Sequence, residues 1–101
     1  MIKNSLSDEE VDLVKKVIQV VRPLLGRGAR TRLGVSEESS NHILDQWPHI
    51  DDSSDSSDEC VLINNSLNEM INGIRISDED VQKLIGVNKE TLKSIYKKWA
   101  K

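Results

Sequence analysis

Apolar residues near the start of the chain recur at helical spacing. Val11, Val14, Ile18, Val21 and Leu25 follow at steps of three and four, and Val17 and Leu24 widen the stripe. Such spacing gathers them on one helical face. The segment also carries a start signal. In Ser7-Asp8-Glu9-Glu10 the serine hydroxyl can accept from the Glu10 N–H while the Glu10 carboxylate reaches back to the Ser7 N–H, a capping box. Leu6 and Val11 flank it at the spacing of a hydrophobic staple. The valines lower intrinsic helix propensity, so burial against other elements must hold this helix. Pro23 is expected to kink or end its regular part, and Gly26 and Gly28 break the chain beyond.

Further along, Ala29 to Leu33 reads as a short helix stopped at Gly34. Ser36 caps the next one, where Glu37 and Glu38 meet the positive helix end and Ile43, Leu44 and Trp47 form the apolar face. Pro48 marks its end. Residues 49–59 have no helical period and are mostly Asp and Ser, which reads as a flexible acidic connector. A calcium loop fails here, because Ser56 stands where the loop needs Gly and Leu62 where it needs Glu. Val61, Leu62, Leu67, Met70, Ile71 and Ile74 make a second long stripe, interrupted at Gly73. Ser77 caps a short helix with Val81, Leu84 and Ile85, stopped at Gly86. Asn88 caps the last helix, whose apolar face is Leu92, Ile95, Tyr96 and Trp99.

The second half repeats the plan of the first. Leu33 to Trp47 laid over Ile85 to Trp99 pairs Gly34 with Gly86, Val35 with Val87, Glu38 with Glu90, Ile43 with Ile95 and Trp47 with Trp99. The cap is Ser36 in one copy and Asn88 in the other. The expected fold is therefore all-α: a single compact helical domain of about six helices from two diverged three-helix repeats. Repeat one covers 7–48, the connector 49–59 and repeat two 60–101. Trp47 and Trp99 should occupy equivalent environments, each packed on its own long helix.

The string Leu84 to Ile95, LIGVNKETLKSI, resembles the turn and third helix of the helix-turn-helix family. Ile85, Gly86, Val87, Leu92 and Ile95 match its pattern, and Val81 matches an inward-facing aliphatic position. The resemblance covers about a fifth of the chain and implies a DNA-reading last helix. The family prefers a small residue four before the Gly, where its helices cross most closely. That position holds Gln82 here and Arg30 in the first copy, and Ser40 replaces the aliphatic that corresponds to Leu92.

Charge separates the two copies. The third helix of the first carries Glu37, Glu38 and Asp45 and no Lys or Arg, a sign that phosphates repel. The last helix carries Lys89, Lys93 and Lys97 four apart, one stripe along its face. Either this stripe contacts phosphates or it is a solvated exterior, and the net charge of −3 favours the exterior. Arg27, Arg30 and Arg32, with Arg22, form a second basic group around the glycines. Arg forks suit phosphate or carboxylate, or pair with the chain's own acids. Asp51, Asp52, Asp55, Asp58 and Glu59 form an anionic strip suited to a basic partner.

With 101 residues the chain makes one domain of ordinary size. Aromatics are only Trp47, Trp99 and Tyr96, so the core must be aliphatic. No apolar run approaches the roughly 20 residues that span a bilayer, and the polar N-terminus lacks a signal-peptide plan. The single cysteine, Cys60, allows no internal disulfide and no multi-thiolate zinc site. His42 and His49 stand outside any metal spacing. These features point to a cytoplasmic, non-enzymatic protein without cofactor or metal. The leading expectation is a binding protein acting by protein–protein contact, most concretely an antitoxin- or immunity-type inhibitor of a basic, toxin-like partner. The alternative is a helix-turn-helix-like nucleic-acid binder using the Lys-rich last helix, and homodimerisation stays open.

Overall fold

In a computed structural model of the chain, the described residues are 6–45, 47, 58–74 and 76–99. The capping box forms as its residues dictate. Ser7 Oγ accepts from the Glu10 N–H at 3.2 Å, and Glu10 Oε1 accepts from the Ser7 N–H at 2.9 Å. It opens α1 (Asp8–Leu25), whose buried side chains are Val11, Val14, Val17, Ile18 and Val21. Leu6 and Val11, the staple pair, are both buried. The helix runs past Pro23 to Leu25 and ends at Gly26, at φ 55°. Proline leaves the carbonyl four residues back without its N–H. Gln19 and Pro23 are both exposed, so that loss falls on the watered side and the break is delayed.

A 3₁₀ turn (Gly26–Gly28) leads to α2 (Ala29–Leu33), stopped by Gly34 at φ 76°. Ser36 Oγ accepts from the Ser39 N–H at 3.1 Å and caps α3 (Glu37–Asp45). Next is α4 (Asp58–Asn68), which runs on into a π-helical turn, Glu69–Gly73. Ser77 caps α5 (Asp78–Ile85), stopped by Gly86 at φ 98°. Asn88 Oδ1 accepts from the Thr91 N–H at 3.0 Å and caps α6 (Lys89–Trp99). All these elements are helical, with no strand among the described residues. Among the described residues five α-helices have eight or more residues, and α2 has five.

The π turn has a local cause. Ile74 donates to the carbonyl of Glu69, five residues back, at 2.8 Å. A Cβ on Gly73 would fall on the Glu69 carboxylate, so glycine lets that side chain fold over the turn. There Glu69 meets Arg32 of α2, with Nε 2.6 Å from Oε1. Glu69 is buried, and this ion pair ties α2 to the end of the second long helix.

The two long helices, α1 and α4, pack on each other. α2 and α3 pack on α4, α5 packs on α1, and α6 packs on α4 and the π turn. The core is aliphatic: Ile18, Leu33, Leu62, Ile63, Leu67, Met70, Ile85, Leu92 and Ile95 are among its fully enclosed side chains. The radius of gyration is 12.5 Å, the value of about 13 Å that a compact chain of this length takes.

Two sequence-based expectations need correction. Asp58 and Glu59 belong to α4 rather than to the connector, because carboxylates favour the first turn of a helix. The helix leading to Trp47 packs on α4, the long helix of the other copy, and its Asn41 accepts a hydrogen bond from Arg22 of α1. The acidic face of α3 leaves it few apolar side chains, with Ile43 in the core and Leu44 packed against it. Both Trp rings are half-buried against the core rather than enclosed. Asp51, Asp52, Asp55, His49, Pro48 and most of the connector lie outside the described residues. No helix among the described residues is long and apolar enough to cross a membrane.

Candidate interaction surfaces

Leu24 and Leu84 are the exposed large hydrophobics among the described residues, at 47% and 41% exposure. They share one shallow depression of about 350 Å³ with Ile74, Ile76, Asp80 and Lys83. Its position follows from the fold. Leu24 projects from the last turn of α1, just past Pro23. Ile74 leaves the π turn extended, at φ −88° and ψ 136°. Leu84 sits beside the Val81 and Ile85 face that α5 buries. The first turn of α5, Asp78, Glu79 and Asp80, brings three carboxylates to that helix, and Lys83 reaches Glu79 at 3.6 Å. Sequence reasoning assigned Leu24, Ile74 and Leu84 to core-facing stripes and missed the patch. The available signal was that Leu84 falls one position short of the buried Val81–Ile85 repeat.

The expected anionic strip is only partly visible. Asp58 is exposed in the first turn of α4 and Glu59 follows it in the helix. Asp51, Asp52 and Asp55 lie outside the described residues.

The basic residues divide into separate groups. Arg22, Arg27 and Arg30 line a cleft of about 990 Å³ between the end of α1, the glycine turn and the start of α3. Asn41 Oδ1 accepts from Arg22 at 2.8 Å. Arg27 and Arg30 have no ion-pair partner among the described residues, whereas Arg32 is taken by Glu69 and leans on the Gly73 carbonyl at 3.4 Å. On α6, Lys93 and Lys97 are exposed, and Lys89 is half-buried. Lys93 lies 3.6 Å from Glu90. Lys98 is bonded to Glu10 at 2.8 Å, in the first turn of α1. Arg22 leaves the same helix 12 residues later, about 18 Å along its axis. The arginine cleft and the end of the lysine helix are thus not one continuous strip.

Lys98 also perturbs a carboxylate. Its hydrogen bond, with a smaller contribution from the Ser7 N–H, holds the Glu10 carboxyl below the ordinary carboxylate range, against a modest burial effect.

The helix-turn-helix resemblance is local. Gly86 and the Asn88 cap give α5 and α6 the expected turn, and Leu92 and Ile95 are fully buried. Gln82 and Arg30, at the position of closest helix crossing in that family, are both exposed. Ser40 is buried at the place of Leu92, its hydroxyl donating to the Ser36 carbonyl at 2.9 Å. His42 is exposed and Cys60 half-buried, and no group of three metal-ligating side chains converges among the described residues. Set against family models, curated proteins and solved structures, the chain matches none.

Proposed function

We propose that this protein is a non-catalytic binding module acting by protein–protein contact, most concretely an antitoxin- or immunity-type inhibitor that covers a basic partner in the cytoplasm. The observation that carries this reading is the apolar depression of Leu24, Ile74, Ile76 and Leu84, with Asp80 on its wall. Interfaces draw most of their affinity from a few desolvated apolar anchors inside a polar rim. A depression of this kind accepts an aliphatic side chain, and the exposed Asp80 carboxylate on its wall suits Lys or Arg beside it. Asp51, Asp52, Asp55, Asp58 and Glu59 add long-range steering toward the same sign of partner.

The test is affinity capture from nuclease-treated extract of the native cell, with wild type and a Leu24→Asp/Leu84→Asp double variant side by side. The expected result is a basic protein retained by wild type and lost by the variant. Equal retention by both removes the patch from the interface. A partner lost on nuclease treatment favours the second reading, a nucleic-acid binder using α6. That reading is supported by the capped helix after Gly86 and by the exposed Lys93 and Lys97. Under it, Lys89→Gln/Lys93→Gln/Lys97→Gln abolishes binding that already falls steeply with salt.

The proposed architecture is the pair of diverged three-helix copies, of about six helices in all. Its support is reciprocal packing: α2 of the first copy lies on α4, and α5 of the second lies on α1. The exchange holds for these short helices, whereas α3 and α6 both pack on α4.

A further inference from the structure

The geometry points to a second site, independent of the protein-contact patch: the arginine cleft binds a small phosphorylated polyol. The guanidinium groups of Arg22, Arg27 and Arg30 hold the phosphate, and the Glu37 and Glu38 carboxylates accept from the hydroxyls.

The chain carries 17 acidic and 14 basic residues. In such a chain the bland fate of an arginine is to pair with a carboxylate. Arg32 does so with Glu69. Arg27 and Arg30 do not among the described residues, although both line the cleft with Arg22. Arg22 is held in place by Asn41, so one fork is positioned before any ligand arrives. Planar guanidinium forks match phosphate oxygens in paired hydrogen bonds, and several together favour a dianion over a single carboxylate.

The start of α3 supplies the second set of donors. Ser36 Oγ takes the Ser39 N–H, and the Ser36 carbonyl takes the Ser40 N–H at 3.0 Å. The N–H groups of Glu37 and Glu38 are the ones a helix leaves without an internal partner, and both residues line the cleft. The Glu37 and Glu38 carboxylates already offset the charge of this helix end, so the arginines supply the electrostatic attraction.

The rest of the wall narrows the ligand class. Glu37 and Glu38 put carboxylates on the rim, which repel a bare polyanion such as a nucleic-acid backbone and accept from hydroxyl groups. No aromatic side chain lines the cleft, so a nucleobase finds nothing to stack on. A volume of about 990 Å³ exceeds what inorganic phosphate alone needs. A hydroxyl-rich phosphomonoester of sugar-phosphate kind satisfies all three constraints.

The experiment is titration of the ¹⁵N-labelled full chain with glucose 6-phosphate, adenosine monophosphate, inorganic phosphate, glucose and a short DNA duplex. Expected is saturable movement of the Glu37 and Glu38 amides with glucose 6-phosphate, weaker with adenosine monophosphate and inorganic phosphate and absent with glucose. Arg27→Met/Arg30→Met should weaken glucose 6-phosphate about a hundredfold or more, since both guanidiniums without an ion-pair partner are removed. Lys93→Gln/Lys97→Gln should leave it unchanged. The amide spectrum of each variant shows whether it is folded. Three results overturn the proposal: no saturable shift with any phosphate; equal affinity in the folded arginine variant; or tighter binding by the duplex than by the sugar phosphate, which would make the cleft a nucleic-acid contact.

Discussion

The units Leu33 to Asp45 and Ile85 to Trp99 follow the same local rules and are used differently by the fold. Each has a left-handed glycine, a short turn and a side-chain cap on the third N–H beyond. At Gly34, a Cβ would lie 3.0 Å from Val61 Cγ1 and 3.1 Å from Asn65 Nδ2. At Gly86 it would meet nothing within 4 Å. Asn65 Nδ2 also donates to the Leu33 carbonyl at 2.8 Å, a group the end of α2 would otherwise leave unpaired. The first turn is wedged against α4, while the second faces solvent. The interior shows the reverse. Leu92 is fully buried in the second unit, and Ser40, a smaller group that satisfies itself locally, occupies the matching place in the first. The first unit is held by contacts at its turn, the second by apolar burial along its helix. An open turn on a well-anchored helix is free to meet a partner; a wedged turn is not.

The largest test of this contrast is Leu92→Ala. Deleting a fully buried leucine costs about 3–5 kcal/mol, enough to consume much of the stability of a small domain. Ser40→Ala should cost about 1 kcal/mol or less, the net value of one hydrogen bond. Urea denaturation of both variants reads the difference. Similar values would mean that the first unit relies on its helix as much as the second.

Gly73→Ala comes next, because it attacks the clamp between α2 and the π turn. The added methyl displaces the Glu69 carboxylate from Arg32. The Arg32 side chain is 47% exposed, so solvent screens the pair, and a loss of about 2 kcal/mol is expected rather than the full cost of breaking a buried one. In a Glu69→Ala background the same change should be nearly neutral. A loss of equal size in both backgrounds would place the effect in the backbone instead.

Gly34→Ala and Gly86→Ala form a matched pair. Both put a methyl on a left-handed backbone, worth about 1–2 kcal/mol each. Gly34→Ala must also push aside Val61 and Asn65, and about 1 kcal/mol more is expected for it. Equal losses on thermal unfolding would show that the wedge yields without cost.

Much of this fold was legible in the sequence because its signals are local. The capping residues Ser7, Ser36, Ser77 and Asn88 and the stops at Gly34 and Gly86 all act within one turn of chain. What was not legible depends on residues far apart. Nothing near Glu69 announces that its partner is Arg32, or that Gly73 exists to make room for the carboxylate. The apolar patch was hidden for the same reason: Leu24, Ile74 and Leu84 each fit a core stripe, and only the crossing of α1 and α5 decides which are left outside. The split of the basic residues between the arginine cleft and the lysine helix likewise follows from packing along α1, not from spacing.

The smallest expected effect concerns the far end of that helix, where Lys98 ties α6 to α1. Glu10 serves twice, as the partner of the Ser7 N–H and as the acceptor for Lys98. Glutamine keeps the capping box, so Glu10→Gln removes the charge and leaves the cap. The folded-state pKa of Glu10 lies below its ordinary value, chiefly through Lys98. A carboxyl depressed in this way stabilises the fold fully above the pKa of the unfolded chain and loses that contribution as pH falls through the folded value. Wild type should therefore exceed Glu10→Gln slightly near neutral pH, and the gap should close below about pH 4, the range where the unfolded carboxyl takes up its proton. Added salt should shrink it as well, since Lys98 is about half exposed. Urea midpoints for both proteins across the acid range measure the gap. A constant gap at every pH would mean that the Lys98 contact adds nothing, and that α6 is held by its packing on α4 and the π turn.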